Sequence, residues 1–404
     1  MPRRPFYEHV LPAVAGVQAG REYYIVMCTL DRLATVFSTP DTEFGPELRA
    51  QRVLNKGRIP ALVRYLSNNR STYVLTSLAA SVDGELHFVA QSRTPCIVRA
   101  GELRVPRGAK FLINDGQHRL AALRLALKQN PSLGSEAISI VVYADAGLAR
   151  SQQMFADLNR YAVRPTRSLN ILYDHRDPMA SLARHLAETV PVFLGMTETS
   201  SNTISNRTRK LFTLNAIYQA TQRLLGRTPE EELSDRDQRL AESFWTELGS
   251  NMPDWQDAAS GKKHPSDLRR DFVHAHGVAL HALGVVGNAL LLNARTSWRK
   301  RLLPLRTMDW CRSSVAIWEG RAMAGGRMCK AGHHVTLTAN RLKAALSLPL
   351  TPAEAAVERN HETARTPIVD RSEASHPNGR KAGDTPSDDR EALYSRREAV
   401  GHRV

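Results

Sequence analysis

Cysteine is scarce in this 404-residue chain: Cys28, Cys96, Cys311 and Cys329 lie far apart and form no CxxC pair. That spacing excludes a disulfide framework and a zinc site built on paired cysteines. Long apolar runs are missing too. The most apolar stretch, Gly277 to Ala294, is interrupted by His281, Asn288, Asn293 and three glycines. It reads as a buried core helix rather than a membrane span. The opening MPRRPFYEHVLPAVAGVQAG is basic, but Glu8, His9 and Pro12 break it. No signal peptide is read there, and a cytoplasmic protein with no membrane partner is expected. No internal repeat is visible.

Acid is also in short supply. Fifty-five Lys and Arg face 40 Asp and Glu, a formal charge of +15. From Thr351 onward nine basic and ten acidic residues nearly cancel, so the preceding body alone carries +16. Such an excess favours a polyanionic partner, because a nucleic acid relieves the self-repulsion. A coding bias towards arginine (45 Arg against 10 Lys) explains the choice of cation but not the excess over acid.

The first half alternates strand and helix signals. Tyr23 to Leu30 reads as a strand, Arg58 to Leu66 as a helix with Pro60 in its first turn. Tyr73 to Ala80 and Leu86 to Val89 read as two strands joined by a turn at Asp83-Gly84. Lys110 to Asn114 is a short buried strand, Leu120 to Leu127 a helix, and Ile138 to Tyr143 another strand. In the second half Arg150 to Leu158, Ser181 to Thr189, Leu211 to Leu225, Leu240 to Leu248 and Leu268 to Leu292 all read as helices, punctuated by prolines. The expectation is an α+β protein: an N-terminal segment (1–20), a mixed α/β domain (21–165), a mainly helical domain (166–350) and a disordered tail (351–404), whose composition buries too little to order itself.

The strongest local signal is Asp115-Gly116-Gln117-His118-Arg119, set between a strand and a helix. A glycine turn opening a helix leaves free amides and the positive dipole end at one spot. His118 and Arg119 add donors there, which suits the phosphate of a nucleotide or of DNA. Asp115 is a candidate to bind metal or orient a water; the alternative is an ordinary N-cap. From Asn159 to Asp177 polar side chains crowd together. Arg160, Arg164 and Arg167 recur at spacings of four and three, though Pro165 argues for a loop. Guanidinium groups grip phosphate bidentately; a network of Arg–Asp pairs is the alternative. Asp174 and Asp177 are the acids there that could hold a divalent ion, and His175 is undecided between base and helix-end partner. Further cations lie at Arg207, Arg209 and Lys210, at Lys262 and Lys263 with Arg269 and Arg270, and at Arg299, Lys300 and Arg301 beside Trp298. An aromatic next to cations suits phosphates and stacked bases. His274, His276 and His281 read as core histidines rather than metal ligands, and no helix-turn-helix is recognisable.

The pentapeptide resembles the signature of the DGQHR, or DndB, family, accessory proteins of bacterial DNA phosphorothioation. Gln153 to Arg160, Ala162 to Asn170 and Asp174 to Pro178 resemble the family's second signature. The segments LPAVAGVQAGREYYIVMCTL and VTLTANRLKAALSLPLTPAE resemble its ends. The resemblance covers roughly residues 10 to 355. It implies a ParB/sulfiredoxin-like α/β domain followed by the helical one. It also implies a transcriptional repressor that binds promoter DNA of the modification operon and limits modification. Sulfiredoxins place a cysteine where Gln117 stands, so their chemistry is not expected. The ParB likeness keeps a second class open, a nucleoside-triphosphate hydrolase with Mg2+ in which Asp115 and His118 would act. Gly116, Gln117, His118, Arg119, Asn159 and Arg160 would then hold phosphate. For the repressor, double-stranded DNA is the expected partner, through Arg164, Arg167, Arg176, Arg207, Arg209, Lys210, Lys262, Lys263, Arg299, Lys300 and Arg301. A scaffold for the other phosphorothioation proteins is the third class, and a homo-oligomer is allowed in each.

Overall fold

The structure is a computed structural model describing residues 7–37, 56–92, 96–106, 109–144, 153–154, 156–158, 160, 165–228, 231–293 and 298–365. The chain divides into two compact units, Met1–Arg164 and Pro165–Val404.

The first unit is built on a seven-stranded mixed sheet. In chain order its strands are β1 (Tyr7–Gln18), β2 (Arg21–Thr29), β3 (Leu78–Asp83), β4 (His87–Ala90), β5 (Arg99–Pro106), β6 (Lys110–Asp115) and β7 (Ala137–Ala144). Their order across the sheet is β4-β5-β1-β2-β7-β3-β6. All neighbours are antiparallel except β3 and β7, which pair in parallel with Leu78 opposite Ile140. Two helices, α1 (Ile59–Asn68) and α2 (Gln117–Gln129), supply Val63, Leu66, Leu120, Leu123 and Ala126 to a core shared with Val26, Ile140 and Val142. Each of these valine, leucine and isoleucine side chains contributes roughly 1.5–3 kcal/mol on burial.

Two expectations are corrected here. The N-terminal segment is not outside the domain: β1 runs through the middle of the sheet between β5 and β2. Its inward residues are His9, Leu11, Ala13 and Ala15, but its outward positions include Val10 and Val14. With apolar residues on both faces, the period of two that marks a strand is blurred. Asp83-Gly84 does not close a hairpin either. β3 is buried on both faces over Leu78–Val82 and sits inside the sheet, whereas β4 is half-exposed and lies at the opposite edge beside β5. Residues 73–77 do not extend β3, and Tyr73 instead closes a turn onto Asn69.

The second unit is mainly helical. Its principal helices are α3 (Arg167–Tyr173), α4 (Pro178–Thr189), α5 (Leu214–Leu225), α6 (Asp235–Ser250), α7 (Pro253–Ala259), α8 (Pro265–Asp271), α9 (Gly277–Asn293), α10 (Gly332–Ala345) and α11 (Pro352–Arg365). Large aromatics fill its centre: Phe193, Phe212, Phe244, Trp245, Trp255 and Trp318 are all fully buried. Gly284 lets α9 lie against α5, since a Cβ there would run into the Ala220 carbonyl.

The helix expected over Leu268 to Leu292 is broken. Phe272 is extended and bridges to Cys311, while Val273 N–H donates to the Trp310 carbonyl at 2.9 Å. Those bonds replace helical ones, and α9 starts afresh at Gly277. The expected tail also begins with order. Helix α11 is held by ion pairs rather than by apolar burial: the buried Lys343 ammonium donates to Glu354 at 2.6 Å, and Arg321 NH1 donates to Glu358 at 3.0 Å. Composition gave no hint of these partners, which lie outside the segment. Among the described residues no helix is long and apolar enough to cross a membrane.

Candidate functional site

The Asp115–Arg119 turn joins β6 to α2 as the sequence suggests, with Gly116 at φ +102° in the region open to glycine. A Cβ at that position would lie 2.5 Å from Leu78 Cδ2. The side chains of the motif turn back on the protein. Arg119 NH1 donates to the carbonyls of Thr76 (2.9 Å) and Ser77 (3.0 Å), and NH2 donates to Asp115 Oδ2 at 2.6 Å. Gln117 Nε2 donates to the Ile113 and Asn114 carbonyls, at 3.1 and 3.3 Å. Behind them Asn114 Nδ2 donates to Ser81 Oγ at 2.7 Å. Gly116, Gln117 and Arg119 therefore lock β6, α2 and the approach to β3 together. What remains outward is the start of α2, which has no side-chain cap, and the half-exposed Asp115 carboxylate. His118 is half-buried.

Asn159 and Arg164 lie outside the described residues; Arg160 is exposed. Asp174 and Asp177 are engaged as caps. Asp174 Oδ1 accepts the amides of Arg176 and Asp177 (3.0 and 3.2 Å), and Asp177 Oδ1 accepts those of Met179 and Ala180 (2.8 and 3.1 Å). The second oxygen of Asp177 takes the Tyr218 hydroxyl at 2.7 Å. No group of His, Cys, Asp or Glu suited to a metal occurs among the described residues.

A basic surface does assemble in the second unit. Thr166 caps α3 by accepting the Leu169 amide, and its hydroxyl donates to the Ser200 carbonyl at 2.6 Å. Asn202 Oδ1 accepts the amide and hydroxyl of Ser168, at 3.2 and 3.3 Å. These bonds bring Arg167 beside the 199–210 loop that carries Arg207, Arg209 and Lys210. Arg269 braces the far end of that loop: NH2 donates to the Ser205 carbonyl at 2.9 Å and NH1 to that of Lys210. Arg167, Arg207 and Arg209 are exposed and have no ion pair among the described residues. Lys210 is half-buried and donates to the Gly195 carbonyl at 2.9 Å. Arg176 is exposed on the loop before α4.

The other expected cations divide. Lys300 and Arg301 are exposed and have no ion pair among the described residues. Lys263 bridges Asp254 (2.6 Å) and Asp257 (3.4 Å), Lys262 approaches Asp257 at 4.0 Å, and Arg299 lies 3.8 Å from Glu247. Arg270 is paired with Asp267 and Asp271. Trp298 is not offered to bases: it is 7% exposed, packs on Phe244 and is covered by the Arg299 guanidinium.

The histidines behave differently from one another. Trp255 Nε1–H donates to His274 Nδ1 at 3.0 Å, so the ring is neutral with its proton on Nε2, which donates to Asp254 Oδ2 at 3.0 Å. That hydrogen bond, with Lys263 beyond it, pulls the Asp254 carboxyl down to about 2. His276 Nε2 donates to the Arg269 carbonyl at 2.8 Å, and burial lowers its pKa to about 4. His281 is 4% exposed with its Nε2 unpartnered among the described residues, and burial pushes its pKa down to about 3. Sequence reasoning missed the gathering of Asn202, Arg269 and Lys330, together with Ser168 that holds Asn202, about the His276 and His281 rings. They are spread over more than a hundred and sixty positions with no shared motif.

Together the geometry defines an α+β protein with a motif-bearing sheet unit and a cationic helical unit. A family model described as DNA-sulfur modification-associated, DndB, matches residues 11–349, and the chain belongs to that family. A search of curated proteins and a search of solved structures give no match.

Proposed function

We propose that this protein is a DNA-binding regulator of a DNA phosphorothioate-modification system, acting in the cytoplasm as a repressor of the modification operon. The observation that carries this reading is the surface around the 199–210 loop. Exposed Arg207 and Arg209, on a loop that Arg269 and Asn202 hold in place, and exposed Arg167 at the start of α3 beside it stand there without carboxylate partners among the described residues. Guanidinium groups with no acid beside them, on a braced loop, suit bidentate contact with backbone phosphates. Lys300 and Arg301 are further exposed cations with no ion pair among the described residues, whereas Lys262, Lys263 and Arg299 have carboxylates close by. Family membership supports work on DNA sulfur modification, with duplex DNA or the other modification proteins as partners. The test is binding of the purified protein to promoter DNA of the modification operon against a scrambled duplex of equal length. Tight binding to the promoter, with repression of a reporter, is expected. Equal binding to both duplexes and no repression would leave only a general DNA binder.

A second reading has its own observation. The uncapped start of α2 behind Gly116 supports a phosphate-holding role for the DGQHR turn in a ParB/sulfiredoxin-like fold. In a hydrolase of that type Asp115 and His118 would act on a nucleoside triphosphate with Mg2+. Asp115 is drawn to Arg119 and Arg119 to backbone carbonyls, so this reading stands second. Phosphate release from ATP, GTP or CTP that disappears in Asp115→Ala would reverse the order.

A further inference from the structure

Between the start of α5, the start of α9 and the 202–206 loop lies a cavity of about 390 Å³, within the size range that takes small molecules. None of the residues lining it is Asp or Glu. Asn202, Asn206, Thr213, Asn215, Arg269 and Lys330 all bring hydrogen-bond donors to its wall. Gly277 and Val278, in the first turn of the seventeen-residue α9, line it, and their amides have no partner among the described residues. Asn202 has its carbonyl oxygen engaged by Ser168, and Asn215 has its own engaged by Gln219 Nε2 at 3.2 Å. The NH2 groups of both meet no partner among the described residues and are free to donate, beside oxygens that are already engaged. Thr213 Oγ1 accepts the Ala216 amide at 3.2 Å, which leaves its hydroxyl proton to give. The exposed Lys330 ammonium stands at the rim without an ion pair among the described residues, and Arg269 adds a second positive charge to the wall.

An independent observation points the same way. His281, one turn into α9, lines this cavity with a ring 4% exposed and an Nε2 that meets no partner among the described residues. A buried imidazole nitrogen without a partner is costly unless a ligand or water completes it. Helix-start amides, side-chain donors, two cations and no acid together make a site for negative charge.

We propose that this cavity binds a small oxyanion of the phosphate or sulfate class, held by the Gly277 and Val278 amides, the Asn202 and Asn215 NH2 groups and Lys330, with His281, in the tautomer that carries its proton on Nε2, donating that N–H to complete the shell. The site lies wholly in the helical unit and uses none of the DGQHR residues. It shares the 202–206 loop with the proposed DNA surface but not that surface's arginines. Its test needs no DNA, so it fails or stands separately from the DNA reading.

The experiment is calorimetric titration of the full-length protein with inorganic phosphate at fixed ionic strength, then with sulfate as competitor. Saturable binding that sulfate displaces is expected. Lys330→Glu, at an exposed position, weakens it about tenfold or more by reversing a charge at the rim. Asn215→Asp, nearly isosteric, keeps the acceptor for Gln219 but places a carboxylate on the wall, and weakens it likewise. A phosphate site at the DGQHR turn would survive both substitutions and show as stoichiometry that does not fall. No saturable binding, or binding unchanged in both variants, would overturn the proposal.

Discussion

The DGQHR turn and the wall around His281 are made of similar parts, a helix start, a glycine and an arginine, yet they differ in where their donors go. At the turn, Arg119 and Gln117 give theirs to the carbonyls of Thr76, Ser77, Ile113 and Asn114. Near His281, the amides of Gly277 and Val278 and the NH2 groups of two asparagines are left over. Residue types alone do not separate a structural lock from a binding site; the destination of each donor does. The more recognisable motif is the more self-satisfied of the two.

This contrast can be broken by substitution, beginning with the largest effect expected at neutral pH. Gly116→Ala places a Cβ against Leu78 at a positive φ and should cost about 3 kcal/mol of stability, read as a shifted urea midpoint. Next comes acid. His281 is neutral when folded and its pKa of about 3 lies below the ordinary 6.5, so the unfolded chain takes up the proton first. Its contribution is whole above pH 6.5 and is lost as pH falls towards 3, by about 1.4 kcal/mol per pH unit. His281→Leu should flatten the denaturation profile over that window. Asp254 acts in the same direction but lower, between its ordinary 3.8 and about 2. Arg119→Met leaves the Thr76 and Ser77 carbonyls short of a donor and should cost about 2 kcal/mol, with DNA affinity unchanged at temperatures where the protein is folded. The smallest effect is expected for Asp115→Asn, whose half-exposed pair with Arg119 is worth under about 1 kcal/mol. A large loss there would make the turn more than a lock.

Much of the sheet unit was readable in advance. β2, β6, β7 and α2 carry strong alternation or helical spacing and stand where the pattern puts them. β1 escaped because its outward valines hide the period, and the separation of β3 from β4 is a matter of partner choice that no local pattern records. The break at Phe272 depends on Trp310 and Cys311, far along the chain. The same non-locality hid the cavity. Arginines on the 199–210 loop were visible as cations, but which of them lack acids emerges only when Asp254, Asp257 and Glu247 are seen to neutralise others.

The most direct measurement is the salt dependence of duplex-DNA affinity for the wild-type protein and for a variant with Arg167, Arg207 and Arg209 replaced by Gln. If these side chains meet phosphates, the variant binds more weakly and its log–log slope is shallower by about 0.9 for each phosphate that is no longer neutralised, while its urea midpoint stays in place. Equal affinity and equal slope would contradict the assignment of DNA binding to this loop.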